Sequence, residues 1–374
     1  MHQQIEDLGW KFEVWFMARS ELGRHWSFDR SDFQFPHEFL LGRQFAIGSA
    51  TLHWNRGISE ALRHGRPDIL LIAGAWIQPT VLLAALSSVP GRTIFWSESH
   101  LQSIRHTSLI AGLARRLVLS RFSEFAVPGE LARRYVEQNS PTSRIHWLPN
   151  VVDPNVFRDQ VRVLRRAARS NFFPELHQDR RVLLIVARLS EEKGIFPFLE
   201  GVEKLSSADL KKLTVLIAGP GHLRDSIEQW TSRAGVDVRL LGSQTQSELA
   251  WSYAQAEGFC LPSISDPNPL SVIEACWAGL PLLLSSRVGN HPECLQTGRN
   301  GFLFDPTKAE SIAASVSQWL ALSRTELTTF GEISLEIARS RFDPDTVVST
   351  FLEAILETRI AGLKRQSERA TAAR

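Results

Sequence analysis

Cysteine is scarce in this chain of 374 residues, occurring at Cys260, Cys276 and Cys294. An odd count argues against a disulfide framework, and the spacings match no CxxC or zinc pattern. Each lies in an apolar or helical stretch, so buried small hydrophobes in a reducing compartment are expected. An excess of one charge is also lacking. The formal net charge is +2, too near neutral to imply nucleic-acid binding through bulk electrostatics. No uncharged apolar run reaches the ~18 residues of a membrane span. The opening "MHQQIEDLGWKFEVWFMARS" carries acids and no long apolar run, so no signal peptide is expected. There is no internal repeat at solenoid periods, and no glycine-rich turn precedes the first strand-like segment.

What is present is a globular composition, 43% hydrophobic and 22% charged, at a length that suggests two domains. Short apolar runs alternate with helical stretches throughout. In the first half the strands read as 11–18, 68–74, 92–99, 124–129 and 144–150. In the second they read as 181–189, 213–221, 238–242, 258–263, 280–285 and 301–304. The runs are near-continuous hydrophobics rather than alternating ones, as in parallel strands covered on both faces. The fold class predicted is α/β, with two doubly wound Rossmann-like domains, the first without its usual opening strand. The divisions expected are 1–165, 166–340, and a closing helix with a polar tail over 341–374.

Three motifs in the second half carry chemistry. "ARLSEEKG" puts Arg188 and Lys193 just past a buried strand, where open α/β sheets bind ligands. Two cations there can clamp a diphosphate, or they can pair with Glu191 and Glu192 in a solvated turn. "IAGPGHLRDSI" places Gly219 and Gly221 between a strand and a helix, either for close approach to a ligand or for a tight turn. "SDPNPLSVIEACWAGLPLLL" reads as a helix with Asn268 as N-cap, Pro269 as first residue and Gly279 past its end. The amides of Leu270 and Ser271 are unpaired helix-start donors beside a positive dipole end. Asp266 and Glu274 flank them, and carboxylates accept from hydroxyls rather than bind phosphate. A diphosphate between two hydroxylated rings, as in a nucleotide-sugar, would satisfy every one of these groups.

These segments, with "LLGSQTQSELAWSYAQAEGFCLPSISD", "VGNHPE" and "TGRNGFLF", resemble in order the donor domain of GT-B fold glycosyltransferases, retaining family four (glycosyl transferases group 1). "LPNVVD" at 148–153 resembles the usual end of the acceptor domain. The resemblance implies two domains facing a cleft and a donor such as a UDP- or GDP-linked sugar, bound as substrate without a separate cofactor. It implies that Arg188 and Lys193 hold the diphosphate, that Asp266 contacts the sugar, and that Glu274 binds the ribose. Asn268, Pro269, Leu270 and Ser271 would face the phosphates or sugar, with Gly219 and Gly221 near the nucleotide. The chain departs from the family in one place: Asp266 stands where Glu is usual, and its side chain reaches ~1.5 Å less.

No metal is expected. The only DxD, Asp343-Pro344-Asp345, reads as an N-cap followed by a first-turn proline. Acceptor-side candidates are Glu98 and His100 at one strand end, and Glu21, Arg24 and His25 at another. The segment 108–122, "SLIAGLARRLVLSRF", leaves two readings open: a core helix with snorkelling arginines, or a helix lying on an anionic membrane. The function expected is transfer of a sugar, with retention, to a glycan or lipid-linked acceptor in bacterial surface polysaccharide or glycoconjugate synthesis. The location expected is cytoplasmic, with peripheral contact at the inner face of the membrane under the second helix reading. The alternatives are a non-catalytic nucleotide-sugar-binding subunit and a GT-B-fold nucleotide-sugar epimerase.

Overall fold

The computed structural model describes residues 2–20, 33–47, 50–87, 89–103, 108–167 and 180–357. The first half opens with a short parallel pair, β1 (Val14–Phe16) and β2 (His37–Phe39). An antiparallel hairpin, β3 (Arg43–Ile47) and β4 (Ala50–Trp54), follows. A four-stranded parallel sheet then runs in chain order: β5 (Ile69–Ala73), β6 (Arg92–Trp96), β7 (Glu124–Val127) and β8 (Arg144–Trp147). The first strand-like segment forms β1, which pairs with β2 outside the four-stranded sheet, so among the described residues that sheet takes no strand from before Ile69. The sequence reading did not include this hairpin, although Gly48-Ser49 lies between its strands in the sequence.

The second half is one six-stranded parallel sheet. Its strands are β9 (Arg181–Val186), β10 (Leu213–Ala218), β11 (Asp237–Gly242), β12 (Gly258–Leu261), β13 (Leu282–Ser285) and β14 (Gly301–Phe304). Their order is β11-β10-β9-β12-β13-β14, so the winding reverses between β9 and β12. Such a reversal opens a crevice at the carboxyl ends of the two strands. Two cores cover the sheet. Val182 and Leu184 of β9 face a core with Tyr253, Phe259 and Trp277, while Leu183 and Ile185 face one with Phe198 and Trp319. Alternate residues thus reach opposite interiors, which is why the strands read as unbroken hydrophobic runs. All three cysteines are buried and free.

Two connections tie the halves together. Residues 155–167 form a helical segment that buries Val156, Phe157 and Val161 in the second-half core, with Phe157 edge-on to Tyr253 at 5.6 Å. The division expected at residue 165 therefore cuts through a helix; packing places it between β8 and Val156. The closing helix, described over 344–357, returns to the first half, where Val347, Val348, Phe351, Leu352 and Ile355 pack on Ile94, Ala126 and Leu148. Asp343 caps its start, accepting from the Thr346 amide at 3.0 Å and the Thr346 hydroxyl at 2.7 Å. Among the described residues no helix is long and apolar enough to cross a membrane.

Helix Leu109–Leu119 is not a simple core helix. Arg115 and Leu119 are buried, but Leu109, Ile110, Leu113 and Leu117 stand in solvent.

Candidate active site

The crevice between β9 and β12 is built by two loops locked together. After β9, the turn Glu191–Lys193 ends at Gly194, whose φ of +66° suits glycine. A Cβ on Gly194 would fall 2.2 Å from the Pro262 carbonyl oxygen, so its absence lets this turn lie against the loop after β12. The Ile264 and Ser265 amides then donate to the Glu192 carbonyl at 2.9 and 3.2 Å. The result is that Lys193 Nζ reaches Asp266 Oδ2 at 2.5 Å, and Ser263 Oγ lies 3.4 Å from the same oxygen. Asp266 is 6% exposed, so this charge depends on its partners rather than on water.

Arg188 sits differently. It is exposed and pairs with Glu192 at 3.0 Å, as in the solvated-turn reading, at the mouth of the same crevice. Its loop is held from behind: the Leu189 amide donates to the Pro220 carbonyl at 2.8 Å. Gly219, with φ +144°, and Gly221 permit that approach. A Cβ on either would fall 2.0 Å from Ala187 O or 2.2 Å from Leu189 O. The neighbour that requires these glycines is protein backbone, so they shape the turn that carries Arg188.

The helix after Asp266 starts one residue later than its sequence suggests. It spans Leu270–Trp277, with Pro269 as N-cap in an extended conformation, ψ 125°. Asn268 is therefore not the cap; its Nδ2 points instead toward Glu98 Oε1, at 3.5 Å. Proline offers no capping oxygen, and no acceptor in the described residues meets the amides of Leu270 and Ser271. Asn290 Nδ2 fixes the start by donating to Pro269 O at 2.9 Å. One turn on, Glu274 is half-buried and accepts from the Tyr253 hydroxyl at 2.8 Å through Oε2. Burial pushes the Glu274 carboxyl up to about 7, against the Tyr253 hydrogen bond, which lowers it. The helix ends as expected, with Gly279 at φ +64°.

The first half faces these groups. Glu98 accepts from Asn150 Nδ2 at 2.6 Å, close to Asn268. His100 is 1% exposed, and burial lowers its pKa, with the backbone of Asp266 opposing that and His291 and Arg287 nearby. Neither ring nitrogen has a hydrogen-bond partner of good geometry. Gly289 makes room for it: a Cβ there would lie 1.6 Å from Pro267 O and 3.0 Å from His100 Cδ2. The Gly289 amide donates to Asp266 O at 2.8 Å. Glu21, Arg24 and His25 lie outside the described residues.

Sequence reasoning missed three contributors: Tyr253, Gly289, and Glu293. Glu293 Oε1 accepts from the Glu130 amide at 2.6 Å, capping a first-half helix from the second half. "VGNHPE" was recognisable as a motif, but nothing local says that its glutamate reaches across the cleft.

Known proteins resemble this chain in sequence and in fold. Residues 168–332 match the family model "Glycosyl transferases group 1". An uncharacterized glycosyltransferase of Methanocaldococcus jannaschii is 29% identical over 187 residues, covering 49% of this chain and 46% of that protein. The putative glycosyltransferase EpsF of Bacillus subtilis is 28% identical, covering 67% and 66%. The chain thus spans between about half and two thirds of these relatives. Glycogen synthase of Mycobacterium tuberculosis is 26% identical over 76% of this chain and 69% of its own length. Among solved structures, Anabaena HepE in complex with UDP-glucose superposes with a TM-score of 0.67 at 17% identity, covering 86% of each chain. A glycosyltransferase from Rickettsia africae does so at 0.70 and 11%, covering 95% of this chain and 92% of its own. These likenesses establish the two-domain GT-B fold. The match to glycosyl transferases group 1, residues 168–332, takes in every donor-side residue described above.

Proposed function

We propose that this protein transfers a sugar from a nucleotide-sugar to a glycan or lipid-linked acceptor, with retention of configuration and without a metal. The observation that carries the reading is the crevice at the β9/β12 reversal. There a buried carboxylate, a lysine and an uncapped helix start converge from loops locked to each other.

Each group has a place in the reaction. Lys193, Arg188 and the amides of Leu270 and Ser271 face the diphosphate, where negative charge grows as the donor breaks. Glu274 takes ribose hydroxyls through Oε1, with Oε2 already accepting from Tyr253. Asp266 takes a hydroxyl of the donor sugar. The bond from the anomeric carbon to the diphosphate breaks, its electron pair leaving with the nucleoside diphosphate. The acceptor oxygen bonds to that carbon from the same face, and its proton passes to a phosphate oxygen. His100 and Glu98 border the acceptor side. A glycan acceptor is favoured by two relatives: glycogen synthase, and a putative colanic acid biosynthesis glycosyltransferase of Salmonella typhimurium, 26% identical over 48% of this chain.

Incubation with a panel of UDP- and GDP-sugars in EDTA tests the proposal. Slow release of free nucleoside diphosphate from one donor is expected. Binding without turnover, even with acceptor extract present, would support the non-catalytic subunit instead, and conversion of the donor to an epimer would support the epimerase.

A further inference from the structure

Helix Leu109–Leu119 presents its hydrophobic residues on the wrong side for a buried helix. Leu109, Ile110, Leu113 and Leu117 are 88, 80, 68 and 65% exposed. They share one stripe, since residues three and four apart stack on a helix face. Leu101, on the turn just before, adds 45% exposure. The opposite side is already satisfied: Leu119 is fully buried and Arg115 lies over the Trp76 ring at 5.8 Å. The Ser108 hydroxyl caps the helix, accepting from the Ala111 amide at 3.2 Å, so the stripe belongs to a well-formed element.

The charge around the stripe has one sign. Arg116 and Arg121 are exposed beside it. From residue 99 to residue 123 the chain contains four arginines, Arg105, Arg115, Arg116 and Arg121, and no Asp or Glu. The adjoining helix Glu130–Asn139 neutralises its own acids: Glu130 pairs with Arg133 and Arg134, and Glu137 with Arg133. A second copy of this chain is a poor occupant, because a twofold contact would set the arginine rims against each other.

We infer that this face docks on an anionic lipid bilayer, with Ile110, Leu113 and Leu117 at the acyl boundary and Arg116 and Arg121 at the headgroups. An apolar stripe flanked by arginines and free of carboxylates is the pattern of an interfacial helix. Its position gives the contact a use. The helix follows β6, whose carboxyl end carries Glu98 and His100 into the cleft, and residues 101–108 are all that separate His100 from Leu109. A bilayer on this helix would hold a lipid-linked acceptor beside the acceptor side of the cleft. That benefit rests on the proposed function; the docking itself does not, and its test involves no sugar transfer.

The test is flotation of the full chain with vesicles of phosphatidylglycerol and phosphatidylcholine, compared with phosphatidylcholine alone. Binding to the anionic vesicles is expected, weakening as salt is raised from ~0.05 to ~0.5 M. The double variant Leu113→Glu/Leu117→Glu should lower the bound fraction roughly ten-fold, and Arg116→Ala/Arg121→Ala several-fold, with Tm unchanged because all four residues are exposed. No binding to anionic vesicles would overturn the inference. So would equal binding by wild type and the leucine variant, or a dimer that the leucine variant dissociates while lipid binding stays the same.

Discussion

Lys193 Nζ lies 2.5 Å from Asp266 Oδ2, and the two belong to loops on either side of the point where the second sheet reverses its winding. Neither residue is poised alone. Without a donor, the lysine proposed to hold the diphosphate neutralises the aspartate proposed to hold the sugar. Lys193→Met should therefore lose twice, in phosphate attraction and by leaving a buried carboxylate with little but Ser263 beside it. A loss of about 2 kcal/mol in donor binding, roughly 30-fold, is expected by calorimetry, with a lower Tm as well.

Glu274 supplies a pH dependence. Its folded-state pKa of about 7 lies above the ordinary 4.5, so the folded state resists its ionisation. The sign follows: full relative stability holds below pH 4.5 and is lost as pH rises through about 7. Donor binding runs the other way if ribose hydroxyls donate to the carboxylate. Affinity for a nucleotide-sugar should rise between pH 6 and pH 8, and Glu274→Gln should flatten that rise. The same variant should raise Tm at pH 8 relative to wild type and leave it nearly unchanged at pH 4.5. Calorimetric titrations and melting curves across the range would check both halves.

Gly219 offers a purely steric test. Its φ is +144°, and a Cβ would stand 2.0 Å from Ala187 O. Gly219→Ala should push apart the two turns that support Arg188, costing at least about 1–3 kcal/mol in stability. Weaker donor binding should accompany the fall in Tm. Unchanged melting would refute the packing described for this turn.

Glu293 joins the halves by accepting from the Glu130 amide. Glu293→Ala removes a helix cap worth about 1 kcal/mol. The expected outcome is a small drop in Tm and faster protease cleavage in the connection near residues 149–154, read by mass spectrometry. Wild-type cleavage rates in the variant would mean that this contact does not restrain the halves.

The second half was largely legible because its determinants are local. Continuous runs such as "RVLLIV" and "LLLS" announce strands buried on both faces, and glycines and prolines mark their ends. The helix start at Asn268 was misplaced by one residue because Pro269, read as the first helical residue, is the cap itself; capping strength is local, but the choice of cap is made by Asn290 binding Pro269 O from 21 residues away. The same limit hid Tyr253 and Glu293, whose partners are distant in sequence. The first half was less readable. The β3/β4 hairpin was passed over although its strands are separated in the sequence by the two-residue turn signal Gly48-Ser49, and the helix 109–119 shows identical apolar spacing whether its stripe faces core or solvent. Only packing decides between the two.

The central claim is that a nucleotide-sugar binds between β9 and β12. Isothermal titration of UDP- and GDP-sugars into wild type, Lys193→Met and Glu274→Ala, in EDTA and with Tm recorded for each protein, tests it most directly. Saturable binding of one donor to wild type, lost or weakened at least about ten-fold in both variants while they stay folded, is the expected result. Donor affinity that is unchanged in both folded variants would place the site elsewhere and contradict the account.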